Sequence, residues 1–323
     1  MHFTRNNTTA YSNYLGIMNI QHGFIKKKNT LKIQKTKAII YVIFAVCCLA
    51  LGGVFVRLSE AGPIATGGFR SLIAAPILFL LSILGQHRSS KAKLSLRDHA
   101  IIAAGGFLLA ADLCLWNVSF FYTTLAESNL LANLVPFIVA IYGWVFYRTV
   151  PDKRLAIPAL FALGGLALLA LANAHLNPTH VFGDVLALST AFFYAGFLVV
   201  AKELRERYPA MHIMSILSLW CASGCFAAAL LRGEKLIPQT WRGWLLLVIL
   251  AITSQILGQT LMAHAVRFLP LQLASLFVLL QPIAAALYAY ILFKEKLALP
   301  QIIGIIILLG AIYRSKTILE SES

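Results

Sequence analysis

The chain has 323 residues, of which 59% are hydrophobic and 12% are Asp, Glu, Lys or Arg, and its mean hydropathy is +0.80. Water-soluble domains carry about 25% charged and 45–50% apolar residues, so one water-facing surface cannot be covered from this composition. An integral membrane protein is implied. The 27 basic residues outnumber the 12 acidic ones for a formal net charge of +15. In a membrane chain that excess speaks first of which loops hold it, and only then of nucleic acid.

In chain order, residues 1–37 are polar and basic, with Arg5, Lys26-Lys27-Lys28, Lys32, Lys35 and Lys37 and no acid among them. They read as a cytoplasmic tail. Ten hydrophobic runs follow: Ala38–Leu58, Pro63–Leu84, Ala100–Tyr122, Ala126–Tyr147, Leu155–Ala172, Gly183–Ala201, Met211–Leu231, Trp241–Met262, Leu271–Phe293 and Pro300–Ile318. Lengths near 20 in a Leu-Ala-Gly-rich composition predict spanning helices, not the alternating ten-residue strands of a barrel. The fold class is all-α. Cys47, Cys48, Cys114, Cys221 and Cys225 all fall inside these runs, so neither a disulfide framework nor a loop metal site is expected. No cofactor is expected. Cys221 and Cys225 share a helix face, where a thiol pair is the lesser reading beside small buried hydrophobes.

With the N-terminus inside, 20 of the 27 basic residues lie in cytoplasmic segments and five in outer loops. That bias predicts both termini cytoplasmic and residence in the cell's inner (cytoplasmic) membrane.

Sliding the chain on itself by 146 residues superimposes Pro136 on Pro282, Tyr142 on Tyr288, Trp144 on Tyr290, Leu134 on Leu280 and Gly164 on Gly310. Each half holds five helices, an odd number, so the halves cross the membrane in opposite senses. The expected organisation is a tail (1–37), a first five-helix repeat (38–172), a second (183–318) and a short cytoplasmic end (319–323). Inverted repeats characterise secondary transporters, whose site lies near the midplane. Pro136 and Pro282 fall mid-span, where each removes a helical hydrogen bond; their matched placement marks them as hinges.

The arrangement Asn129-Leu-Leu-Ala-Asn-Leu-Val-Pro136 and its partner Ala274-Ser-Leu-Phe-Val-Leu-Leu-Gln-Pro282 resembles the ten-helix EamA-type branch of the drug/metabolite transporter superfamily. So do Phe69-Arg70, the segment Gly183-Asp184 to Ala191, and Phe293-Lys-Glu295-Lys-Leu297 with Gly304 and Gly310. Thr149 stands where that family often has a glutamate. The resemblance implies a central cavity among helices 1–4 and 6–9, with helices 5 and 10 peripheral. It also implies transport of small metabolites, often export of amino acids or drugs, driven by an ion gradient or by exchange.

Ionisable side chains within a membrane cost roughly 2.5–3.5 kcal/mol each on insertion scales, so each needs a reason. Asp112, mid-way along the third span, reads as a carrier of a proton or cation. For Arg70 three roles stay open: pairing with Asp112, gripping a substrate carboxylate or phosphate, or snorkelling outward. Glu127 opens the fourth span as a dipole partner or a contact for a substrate amine. Asn129 and Asn133, Gln255 and Gln259, and Gln281 share helical faces around the two prolines. Trp116 and Tyr194 are placed to stack on a flat or cationic solute. His264 reads as interfacial. Gly52-Gly53, Gly105-Gly106 and Gly164-Gly165 read as close-packing positions.

A secondary transporter working by alternating access is the leading reading: a small-molecule substrate, a lipid bilayer, no nucleic acid, and a homodimer left open. S-adenosylmethionine or nucleotide-type uptake is the alternative among solutes. A polytopic lipid-modifying enzyme is the alternative outside transport, and the short loops lack the carboxylate pairs or His clusters it would need. No G-x-x-x-x-G-K-[ST] occurs for an ATP-driven pump.

Overall fold

The protein is described by a computed structural model covering residues 33–85, 94–123, 125–148, 152–171, 178–294 and 298–321. Most of the basic tail, with Thr149, His175 and Glu295 to Leu297, lies outside these residues. Among the described residues every regular element is helical. In chain order they are α1 (Ile33–Leu58), α2 (Pro63–Leu84), α3 (Leu96–Ser119), α4a (Leu125–Ala132), α4b (Val135–Tyr147), α5 (Ala156–Leu171) and α6 (Pro178–Arg205). The second half continues with α7 (Ala210–Leu231), α8 (Trp241–Ala265), α9a (Leu271–Val278), α9b (Leu280–Phe293) and α10 (Leu299–Ser321). Among the described residues nine spans are long and apolar enough to cross a bilayer, with the halves of α4 and of α9 each taken together; α5, at 16 residues, is shorter.

Both α4 and α9 are broken, and the prolines explain where. A proline ring clashes with the carbonyl four residues back and offers it no N–H. Four residues before Pro136 is Ala132, the last residue of α4a; four before Pro282 is Val278, the last of α9a. α4a packs on α9b and α9a on α4b, so the two broken helices cross at their breaks. Both prolines are buried.

Around this crossing, α2 lies along α7, α3 along α6 and α7, and α5 along α10. α1 rests on α8 and α9b, with Ser254 and Tyr288 donating to the Cys48 and Cys47 carbonyls. Lipid provides no hydrophobic drive between helices, so small residues must let backbones approach. A Cβ on Gly106 would stand 2.4 Å from the Trp220 Cβ and 2.8 Å from the Leu217 carbonyl. Gly165 and Gly304 face each other, each leaving room for the other's carbonyl at 2.9 and 2.7 Å. Gly164, read from sequence as a packing position, has nothing within 4 Å; only its neighbour serves. Apolar side chains such as Leu160, Phe161 and Trp144 are outward-facing and exposed, as a lipid-bathed surface requires.

Two carboxylates tie α2 and α8 together at one end of the bundle. Glu234, in the connection from α7 to α8, accepts from the Ile64 and Ala65 N–H groups at the start of α2 at 2.9 and 3.1 Å. Glu60, just before α2, accepts from the Gln239 and Thr240 N–H groups at 2.9 and 3.0 Å and from the Thr240 hydroxyl. At the other end Asp98 closes a capping box with Ser95, accepts from the Tyr208 hydroxyl at 2.7 Å and forms an ion pair with Arg207 at 2.9 Å. That acceptor pushes the Tyr208 phenol above its usual range. Lys202 donates to the carbonyls of Val266 and Leu269 beyond α8 at 2.9 and 3.0 Å, where orphan helix carbonyls need partners.

Candidate functional site

Seven of the ten residues singled out from sequence line one cavity: Arg70, Asp112, Trp116, Asn133, Tyr194, Gln259 and Gln281. Leu49, Leu113, Ala132 and Val278 complete it. The lining therefore comes from α1, α2, α3, α4a and the residue after it, α6, α8, and both halves of α9. Ala132 and Val278, the carbonyl-losing residues before the two breaks, are both in the wall. The chamber measures about 40 Å³, room for a few waters and far below the roughly 300–1,000 Å³ of a ligand pocket.

The charges of this chamber are buried and unlike in sign. Arg70 is 2% exposed and Asp112 9%. Arg70 does not snorkel outward. Its Nε donates to Gln255 Oε1 at 3.0 Å, and its Nη2 has no hydrogen-bond partner. No ion pair within 4.0 Å joins Arg70 to Asp112 among the described residues. The indole Nε1 of Trp116 is also buried without a partner. Buried donors are almost always satisfied, and the exceptions call for an explanation. Here both orphan donors belong to residues that line the same small chamber as an acidic side chain.

The neighbouring polar residues orient these groups. Gln255 does not line the cavity; it holds Arg70 and donates from Nε2 to Ser218 Oγ at 3.1 Å. Gln259 Oε1 accepts from the Tyr194 hydroxyl at 3.3 Å. Both glutamines lie in a π-helical stretch of α8, Ala251–Thr260, a rare wider coil that is frequent at functional sites. Asn133 donates from Nδ2 to the Asn129 carbonyl at 2.5 Å, so Asn133 faces the chamber while Asn129 sits buried behind it. Thr190, a turn from Tyr194, donates to the Ala187 carbonyl within its own helix. Glu127 belongs to α4a, and its side chain lies outside the described residues. His264 is half-buried, edge-on to Tyr41 with ring centroids 5.8 Å apart.

Sequence reasoning passed over Ser218 and the π-helix. The available signal was the density of small polar residues in two otherwise apolar spans, Ser215 and Ser218 in α7 and Thr253-Ser254-Gln255 with Gly258-Gln259-Thr260 in α8. Among the described residues no group of three His, Cys, Asp or Glu could hold a metal ion.

The EamA-like transporter family model matches residues 36–171 and again residues 181–315. The chain is 24% identical over 303 residues, 90% of each protein, to the uncharacterized transporter YetK of Bacillus subtilis. It is 25% identical over 199 residues to the pseudopaline exporter CntI of Pseudomonas aeruginosa, covering 61% of this chain and 66% of that protein. A crystal structure aligns with a TM-score of 0.71 at 14% identity, over 88% of this chain and 99% of that one; at that identity it speaks for the fold alone. With two helical repeats matched across most of its length, this multi-pass membrane protein belongs to the EamA-like transporter family.

Proposed function

We propose that the chain is a secondary active transporter that exports a small zwitterionic, amino-acid-like metabolite by alternating access. The observation that carries this reading is the pair Arg70 and Asp112: opposite charges on one mid-span chamber, without an ion pair between them. A substrate carboxylate meets Arg70 Nη2 and Trp116 Nε1, the two donors without partners. A substrate ammonium meets Asp112. Charge-assisted bonds of this kind are the strong ones, and burying each ion against a counter-ion offsets its desolvation.

A chamber of about 40 Å³ is too small for such a solute, so loading requires its walls to part. The breaks before Pro136 and Pro282 put flexible backbone at that wall, and the two repeats rock about them. Protonation of Asp112 removes the charge that holds the ammonium, which couples release to a proton or to an exchanged solute. The relative named as an exporter supports the direction, and the basic loops support cytoplasmic termini in the inner membrane.

Counterflow in proteoliposomes tests the substrate class. Amino acids should exchange, whereas their N-acetyl and methyl-ester derivatives should not. Equal exchange of the blocked derivatives would remove the two-charge reading.

A further inference from the structure

Away from the central chamber, a cavity of about 410 Å³ lies between α4b, α5, α9a and α10. Its deep wall is apolar: Pro136, Ala140, Ala159, Leu276 and Leu279. Its polar lining, Asp152, Lys153, Gln272 and Ser315, is gathered at one end. Asp152 and Lys153 lead into α5, Gln272 lies in the first turn of α9a and Ser315 in the last two turns of α10, so chain direction places all of them on the side of the membrane where α4b finishes. That end is basic. Arg148, Lys153, Arg154, Arg314 and Lys316 stand there with Asp152, which is bonded to Arg154 at 2.7 Å. Lys153 is exposed at the mouth.

We propose that this cavity binds an anionic phospholipid from the surrounding bilayer, one acyl chain lying against the deep wall and the headgroup phosphate at Lys153. The volume falls within the roughly 300–1,000 Å³ of ligand pockets. An apolar interior with a cationic mouth has the polarity profile of an anionic amphiphile, and basic pockets between helices hold anionic headgroups. Left empty, the wall would forfeit the dispersion contacts that an acyl chain restores. Because Pro136 and Leu279 are both in the wall, the chain bridges the two helix breaks. Binding itself stands independently of the substrate proposed above.

The test uses the full chain in nanodiscs of phosphatidylcholine doped with a phosphatidylglycerol probe carrying a diazirine at its chain end, with the matching phosphatidylcholine probe in parallel. Adducts are mapped by mass spectrometry. The phosphatidylglycerol probe should label Ala140, Ala159 or Leu276, above the phosphatidylcholine probe by about fivefold, the change set by one basic residue near a headgroup. Lys153→Glu should bring the two probes level, and Lys153→Arg should preserve the difference. Ala159→Trp should remove pocket labelling by both probes. The exposed position of Lys153 keeps the test meaningful if Ala159→Trp fails to fold. Equal labelling by both probes in the wild type, adducts confined to outward residues such as Leu160 and Phe161, or no response to Lys153→Glu would each overturn the proposal.

Discussion

Arg70 in α2 donates to Gln255 in α8 at 3.0 Å across 185 residues of sequence, so the one charge that faces the chamber from the first repeat's second helix is aimed by the second repeat. A hydrogen bond to a charged group contributes about 1.5–3 kcal/mol, and stripping its partner inside a protein costs at least that. Gln255→Leu should therefore lower stability by about 2 kcal/mol, seen as an earlier thermal unfolding transition in detergent. Ser218→Ala, which leaves the Arg70 bond in place, should cost about half as much. Equal, negligible effects of the two changes would contradict the assigned geometry.

The breaks at Ala132 and Val278 follow from the prolines four residues on. Pro282→Ala returns an N–H to the helix and should join α9a to α9b. Hydrogen exchange around residues 278–282 should slow, and transport should fall several-fold because the hinge has stiffened. Faster exchange there, or undiminished transport, would show that the proline is not what keeps α9 open.

Glu60 carries a prediction about pH. Its carboxylate is held below the usual range first by the Thr240 hydroxyl and then by the backbone N–H groups of Thr240 and Gln239. A depressed folded value means that this tie contributes fully above the ordinary carboxylate range of about 4.3 and is lost as pH falls through the lower folded value. Between pH 7 and pH 3 the wild type should lose more thermal stability than Glu60→Gln. Parallel losses would place the acid sensitivity elsewhere.

The packing of α3 on α7 sets Cys114 Sγ 3.8 Å from Cys225 Sγ. Copper phenanthroline should cross-link this pair, so that fragments cleaved in the connection between α5 and α6 stay together until a reducing agent is added. Cys225→Ser should release them without reduction. Release from the untreated-by-reductant wild type would mean that α3 and α7 are farther apart.

Much of this architecture was legible in the sequence, for a physical reason: a bilayer forces apolar runs of fixed length, and the prolines repeat at a spacing of 146 residues. Asp112 stood out because an acid amid Leu, Ala and Cys is costly to bury and needs a reason, as a carrier or as a partner of a neighbouring polar group. What sequence could not resolve was which side of a helix each polar residue serves. Asn129 and Asn133 share a face by spacing, yet only Asn133 lines the chamber while Asn129 supplies it a carbonyl. Gln255 and Gln259 divide likewise into a positioning residue and a wall residue, because Gln255 is taken up by Arg70 and Ser218 while Gln259 meets Tyr194 at the chamber. Arg70 looked free to snorkel because its depth was counted along the chain; the fold turns it inward against Gln255.

The central claim is that the buried charges of this chamber carry the substrate and its coupling. Gradient-driven transport by purified Asp112→Asn in proteoliposomes tests it most directly, with thermal unfolding as a check that the protein remains folded. The account predicts that the variant folds and that gradient-driven transport is abolished. Transport at the wild-type rate by that folded variant would contradict it.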